Sequence, residues 1–239
     1  MNDELYKCLD CPHLRKLHDI SKDLSSERGI IARVSNIARR FPRLQVLFLT
    51  FEAYLGEDFS LGSIVPSLST LRSITSFKLY IPTDWEMPGA TTDVDIHALA
   101  NAWPLLTTLS IYADTPASVS PAALVSLATR CPKLEVLDLP SLCILEDDLS
   151  SLAADYPVPV LDHALQTISF RRLDVADCKY AASLLDRLFP RLYGIRGSAS
   201  PSFAHIRRFD GRPSPLYDQV QAQLEIVQAA RRQGQKALG

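Results

Sequence analysis

Leu127-Ala128-Thr129-Arg130-Cys131-Pro132-Lys133-Leu134-Glu135-Val136-Leu137-Asp138-Leu139 joins two signals back to back. The first half is a hexapeptide: an aliphatic residue, usually Ala, two variable residues, an aromatic or Cys, then Pro. The second half is Leu-x-x-Leu-x-Leu. The hexapeptide returns as Ile37–Pro42, Leu99–Pro104 and Leu152–Pro157, and more loosely as Leu185–Pro190. A fixed unit repeated along a chain specifies a stacked array, because one unit cannot bury its apolar face alone.

The apolar half repeats more often than the hexapeptide. Leu44, Leu47 and Leu49 form one set, Leu106, Leu109 and Ile111 another, and Leu134, Leu137 and Leu139 a third. Leu192 and Ile195 begin a further set, and Leu14 and Leu17 follow Cys11-Pro12 at the same offset. Ile74, Phe77 and Leu79 lack the proline, while Leu165, Ile168 and Phe170 are displaced from Pro157 by an insertion. The first apolar residues stand at 14, 44, 74, 106, 134, 165 and 192, so the steps run from 27 to 32 residues.

Within each unit the final Leu-x-Leu alternates with period two and predicts a short strand with one buried face. Upstream, Ile30, Val34 and Ile37 recur at helical spacing, as do Leu124, Leu127 and Ala128. Ser120-Pro121 is a helix start, a capping hydroxyl followed by proline at the first helical position. The hexapeptide proline ends each helix, lacking an N–H and disfavouring the α region for its predecessor. The expected architecture is an α/β solenoid of about seven helix–strand repeats, with a parallel concave sheet inside and helices outside.

The repeats span one domain, about residues 5–210. Ser214-Pro215 opens a C-terminal helix over 214–232, with Leu216, Val220, Leu224 and Val227 on one stripe. It is expected to cover the open end of the stack, since terminal repeats need a cap; docking to a partner is the alternative. Residues 233–239 read as a disordered tail. Polar or Pro-containing stretches at 52–60, 82–92 and 198–213 read as loops at repeat edges.

Composition narrows the function classes. Leucine occurs 36 times against nine glycines, and the net charge of −2 gives no reason to expect a polyanion partner. No apolar run approaches the roughly 18 residues of a membrane span, and no signal-peptide pattern follows Met1. Five cysteines are an odd number; Cys11 and Cys131 occupy the hexapeptide's aromatic position as small hydrophobes, whereas Cys8, Cys143 and Cys178 receive no role. A reducing cytoplasmic or nuclear setting fits.

Cys131-Pro132-Lys133-Leu134-Glu135-Val136-Leu137-Asp138-Leu139 resembles the unit of F-box/leucine-rich-repeat proteins, and the aromatic-Pro variants resemble the divergent fungal members. The resemblance covers about residues 8–196. The units are long beside the roughly 20–29 residues usual for such repeats, which leaves room for an outer helix. The resemblance implies that the repeats hold a substrate protein for an SCF-type ubiquitin ligase. It also implies an N-terminal F-box that would bind a Skp adaptor and cullin. No Leu-Pro-x-Glu-type F-box opening precedes the first repeat, so adaptor binding is expected only if an F-box lies upstream. A stand-alone repeat scaffold without a ubiquitin role is the alternative.

Residues between and beside the strand leucines point into the concave face. The expected partner-binding set is Phe48, Lys78, Tyr80, Ser110, Tyr112, Asp138 and Arg171. Phe48, Tyr80 and Tyr112 are expected as neighbours on adjacent strands, flanked by Lys78 and Arg171. Tyr and Arg are enriched in interface hot spots, although tyrosines paired across strands also simply stabilise sheets.

Catalytic signals are poor, and the expectation is a protein-binding module rather than an enzyme. No two glycines are separated by a single residue, which excludes Gly-x-Gly-x-x-Gly, and no cofactor motif is found. Asp93-x-Asp95-x-His97 reads as acidic residues at a helix start, as does Glu146-Asp147-Asp148. Cys8-x-x-Cys11-x-His13 with His18 is a weak zinc candidate, closer-spaced than common zinc modules and already explained by the repeat. Arginine pairs such as Arg39-Arg40 suit helix C-termini better than nucleic acid.

Overall fold

Every hexapeptide proline that can be followed stands second in a tight turn, and that turn joins helix to strand. Phe41, Trp103, Cys131 and Phe189 each donate their N–H to the residue four back, Ile37, Leu99, Leu127 and Leu185, at 2.7–3.0 Å. Their φ of −118 to −134° and ψ of 59 to 69° lie outside the α region, as expected before proline. Their carbonyls then accept from the N–H three residues on, in Leu44, Leu106, Leu134 and Leu192, at 2.9–3.1 Å. Proline suits the second position of such a turn because its φ is preset. Cys11-Pro12-His13-Leu14 closes the same turn at 3.0 Å.

The computed structural model describes residues 11–21, 26–51, 60–81, 91–112, 118–145, 162–197 and 215–237. The hexapeptide at 152–157, the acidic run Glu146-Asp147-Asp148 and most of the expected edge loops lie outside them. Seven strands appear: β1 (Lys16–Ser21), β2 (Val46–Phe51), β3 (Ser76–Tyr80), β4 (Thr108–Tyr112), β5 (Val136–Ile144), β6 (Thr167–Val175) and β7 (Gly194–Gly197). The helices are α1 (Glu27–Arg40), α2 (Val65–Leu68), α3 (Asp93–Ala102), α4 (Pro121–Arg130), α5 (Cys178–Leu188) and α6 (Pro215–Ala237). The strands form one sheet in chain order, β1 to β7, and every neighbouring pair is parallel. The fold is therefore α/β with a seven-stranded parallel sheet whose order never reverses. Successive helices pack on one another, α1 on α2 through to α5 on α6.

One bonding pattern recurs at five of the six steps. The carbonyl of Gln45 accepts two consecutive N–H groups of the next unit, from Thr75 and Ser76, at 2.8 and 3.0 Å. The carbonyls of Arg15, Thr75, Thr107 and Glu135 accept in the same way from the units that follow them. This fixes where each strand starts, and the leucines then fall into rows. Leu17, Leu47, Phe77, Leu109, Leu137, Ile168 and Ile195 are aligned across all seven strands. From Leu47 to Ile168 this row is fully buried. Burying such a side chain stabilises by roughly 1.5–3 kcal/mol.

The second core row has two exceptions, Gly197 opposite Phe170 on β7 and a charged residue on β1. Leu49, Leu79, Ile111, Leu139 and Phe170 are buried hydrophobes, but β1 places Asp19 at this position with no exposed surface. Arg33, which points inward from α1 and is 2% exposed, meets Asp19 with two nitrogens at 2.5 and 2.6 Å. Ser21 adds its hydroxyl to the same carboxylate at 3.2 Å. A planar guanidinium is suited to this two-point contact.

The expected cap at Ser214 lies outside the described residues, whereas that at Ser120 is present. Ser120 caps α4, its hydroxyl accepting from the Ala122 N–H at 3.1 Å. Helix α6 starts at Pro215 and runs to Ala237, five residues beyond the expected end at 232, so most of the expected tail is helical. It packs on α5 and β7 through buried Tyr217, Val220 and Leu224. The Gln221 side chain accepts from the Ile195 N–H at 3.0 Å, and Tyr217 donates its hydroxyl to the Phe170 carbonyl at 2.8 Å. An edge strand is thereby covered. Burial pushes the Tyr217 hydroxyl up to about 12, which keeps it a donor.

Strands β5 and β6 are each nine residues long. Pro140 interrupts β5, and beyond it the partner changes from β4 to Val119, whose N–H donates to Ser141 and whose carbonyl accepts from Cys143.

Two substitutions test this core. Leu137→Ala is expected to lower unfolding free energy by about 2–5 kcal/mol, measured by urea titration; a loss below about 1 kcal/mol would contradict its place in the buried row. Asp19→Ala, which strands Arg33, is expected to cost about 3–5 kcal/mol.

Candidate functional site

The sheet face opposite the buried leucines is polar. Its middle row reads His18, Phe48, Lys78, Ser110, Asp138, Ser169 and Arg196, one residue from each strand, in register. Lys16, Val46, Ser76, Thr108, Val136, Thr167 and Gly194 form the row before it. Most of these residues are partly or fully exposed, whereas Ser110 is completely buried.

The expected aromatic trio is not one row. Tyr80 pairs with Tyr112 and with Thr50, while Phe48 pairs with Lys78, two residues nearer the strand starts. Phe48 instead stacks on His18 of β1, with ring centroids 4.1 Å apart and planes 8° from parallel. Tyr80 is only 9% exposed and adds little contact area. Arg171 follows Ser169 by two residues on β6 and is half-buried on the same face.

Asp138 is the hub of this face. Its carboxylate accepts from Ser110 at 2.6 Å, from Tyr112 at 2.9 Å, and from the Ser169 hydroxyl. Three hydroxyls, two from β4 and one from β6, thus converge on one anion of the strand between them. Strand alternation places them there: each stands next to a buried residue, so each must face outward. Hydrogen bonds to a charged acceptor are stronger than neutral ones, and here they join β4, β5 and β6 across the open face. Sequence reasoning singled out Ser110, Tyr112 and Asp138 as surface contacts and missed that they bond to one another.

The other titratable groups are structural. Asp93 accepts from the Ser120 N–H at 2.8 Å and from its hydroxyl, tying α3 to the cap of α4. Asp95 accepts from the Thr92 N–H at 2.9 Å, and His97 meets Ser126 at 3.0 Å. Of the zinc candidates, His13 meets Arg43 at 3.0 Å and His18 stacks on Phe48, Cys11 is exposed rather than the buried small hydrophobe expected, and Cys8 lies outside the described residues. Burial pushes the Cys131 thiol up to about 12, against the opposing pull of Arg130, so it is a poor nucleophile. Burial also raises Asp186, which Arg231 of α6 partly offsets from 3.3 Å.

His163 has a role that the sequence did not suggest. It stands two residues before Leu165, where other units have proline. Its Nδ1 accepts from the Leu165 N–H at 3.0 Å, replacing the turn carbonyl of those units. Its Nε2 reaches the Cys131 carbonyl at 2.9 Å, and its ring meets Phe189 edge-on at 5.0 Å. Nδ1 faces a donor, so the proton sits on Nε2. Burial holds His163 below the usual histidine range, against the raising effect of the Cys131 carbonyl.

No family model and no curated protein sequence matches the chain.

Two outcomes are expected. The His163 contribution to stability is complete above the ordinary histidine pKa of about 6.5 and is lost as pH falls through its lowered value. His163→Gln should therefore flatten the melting temperature between pH 7.5 and 5 relative to the parent; parallel profiles would contradict the neutral tautomer. Asp138→Ala leaves the buried Ser110 hydroxyl without its acceptor and should cost about 1–3 kcal/mol, measured by denaturant titration.

Proposed function

We propose that this chain is a leucine-rich-repeat solenoid of the F-box/leucine-rich-repeat kind, and that its open sheet face binds a protein. The observation that carries this reading is the in-register row from His18 to Arg196, laid across seven parallel strands whose other face is buried. An array in which each unit contacts its neighbours through one repeated bonding pattern presents an extended surface rather than a pocket. Such a surface suits a macromolecule better than a small substrate, which needs a concave pocket with convergent polar groups. The polar groups that do converge, around Asp138, satisfy one another.

In this reading the partner is a substrate protein of an SCF-type ubiquitin ligase, and Phe48, Lys78 and Arg196 contact it directly. Ser110, Tyr112 and Asp138 keep the face rigid, which lowers the entropic cost of binding.

Proximity labelling in cells, followed by binding measurements with the purified candidate, is the test. Phe48→Ala is expected to weaken binding about tenfold or more, while Val94→Ala, on the exposed surface of α3, leaves it unchanged. Equal effects of both variants would exclude the sheet face. Association of the same chain with purified Skp adaptor supports the ligase role. Partner binding without adaptor binding supports a stand-alone scaffold.

A further inference from the structure

We infer that the partner segment held by this face is acidic: an extended stretch of protein rich in Asp and Glu. The inference rests on the reading of the sheet face as a protein-binding surface and adds the chemistry of the ligand. The chain as a whole carries a net charge of −2. Its open sheet face has the opposite sign. Lys16, Lys78, Arg171 and Arg196 project from β1, β3, β6 and β7, against Asp138 in the middle of the face and the exposed Asp174 near the end of β6. Arg15 and Glu135, in the turn row just ahead of the strands, cancel one another.

The central anion is already engaged. Three hydroxyls donate to Asp138, so its capacity to attract a cation is largely taken up. Lys78 and Arg196 are exposed, and neither has an ion-pair partner among the described residues. A surface whose cations face solvent unpaired and whose central anion is taken up by hydroxyls is complementary to negative charge.

Spacing decides what kind of anion fits. Strands in a sheet lie about 4.8 Å apart, so Lys78 and Arg196, four strands apart in one row, are separated by about 19 Å at the backbone. A single phosphate or carboxylate cannot reach both. A chain crossing the strands can, with one acidic side chain near Lys78 and others near Arg171 and Arg196. Beside Lys78, the stacked His18 and Phe48 rings offer an apolar contact for a flanking side chain.

Single-stranded nucleic acid is the other extended polyanion. It binds through rows of aromatic rings on which successive bases stack. Here one ring of the His18–Phe48 pair covers the other, and Tyr80 is 9% exposed. The face therefore lacks the stacking platform and favours protein.

The test is selection of a random twelve-residue peptide library on the intact, immobilised chain, followed by fluorescence anisotropy with the selected peptides. Enrichment of Asp and Glu is expected. Binding should fall at least tenfold in Lys78→Glu/Arg196→Glu, and also between 50 and 300 mM NaCl, through screening. Both sites are exposed, so the variant is expected to keep the parent's circular dichroism and melting temperature. Phe48→Ala should weaken the same peptides. Selection of neutral or basic peptides, indifference to charge reversal, or tighter binding of oligo(dT) than of any peptide would overturn the inference. Neutral peptides that still depend on Phe48 would refute the acidic ligand and leave the protein-binding face standing. Peptides indifferent to both Phe48 and the charge reversal would count against the face itself.

Discussion

The fold depends on how each helix stops. A residue placed before proline cannot continue the α-helix, and in four units that residue is Phe41, Trp103, Cys131 or Phe189, fully buried. It therefore does two things: its backbone leaves the helical region, and its side chain fills the space between the helix and the strand that follows. The proline fixes the turn, and the next leucine enters the core. Because this junction is nearly constant in length, every strand starts at the same level as its predecessor. The leucine rows follow from that alignment, and so does the polar row on the opposite face.

Where the junction chemistry is missing, other groups restore it. Before Leu165, His163 supplies the acceptor that a turn carbonyl supplies elsewhere. In β1, Asp19 and Arg33 occupy space that leucine fills in later units. A buried ion pair of this kind seldom exceeds the stability of a hydrophobic replacement, but it is costly to break. Both devices are local solutions to one demand: buried backbone and side-chain polar groups need partners.

Much of this was legible in the sequence because the signals have short range. Period-two leucines, a capping Ser120 and a terminating proline act within a few residues, and among the described residues each predicted element at those places is present. The concave set was legible only in part. Counting from the first apolar residue of each set puts Phe48, Lys78, Ser110 and Asp138 at one offset and Tyr80 and Tyr112 at another. Grouping by residue type joined Phe48 to the tyrosines instead. The Asp19–Arg33 pair was hidden because Arg33 sits beside Val34 in a helix whose apolar stripe alone gives no reason for a buried cation. The true length of α6 was missed because the sequence beyond Val227 carries no apolar stripe to mark where the helix ends.

The helices are unequal in a way that the strands are not. Helix α1 has fourteen residues and α3 has ten, but α2 between them has four, preceded by a single 3-10 turn at Leu61–Ser63. Among the described helices α2 is thus the shortest, although the strand that follows it pairs as regularly as its neighbours. In a stack stabilised by nearest-neighbour contacts, the seam with least lateral support is where curvature changes at least cost. Flexing beside the short α2 would open or close the angle between β1–β2 and β4–β7.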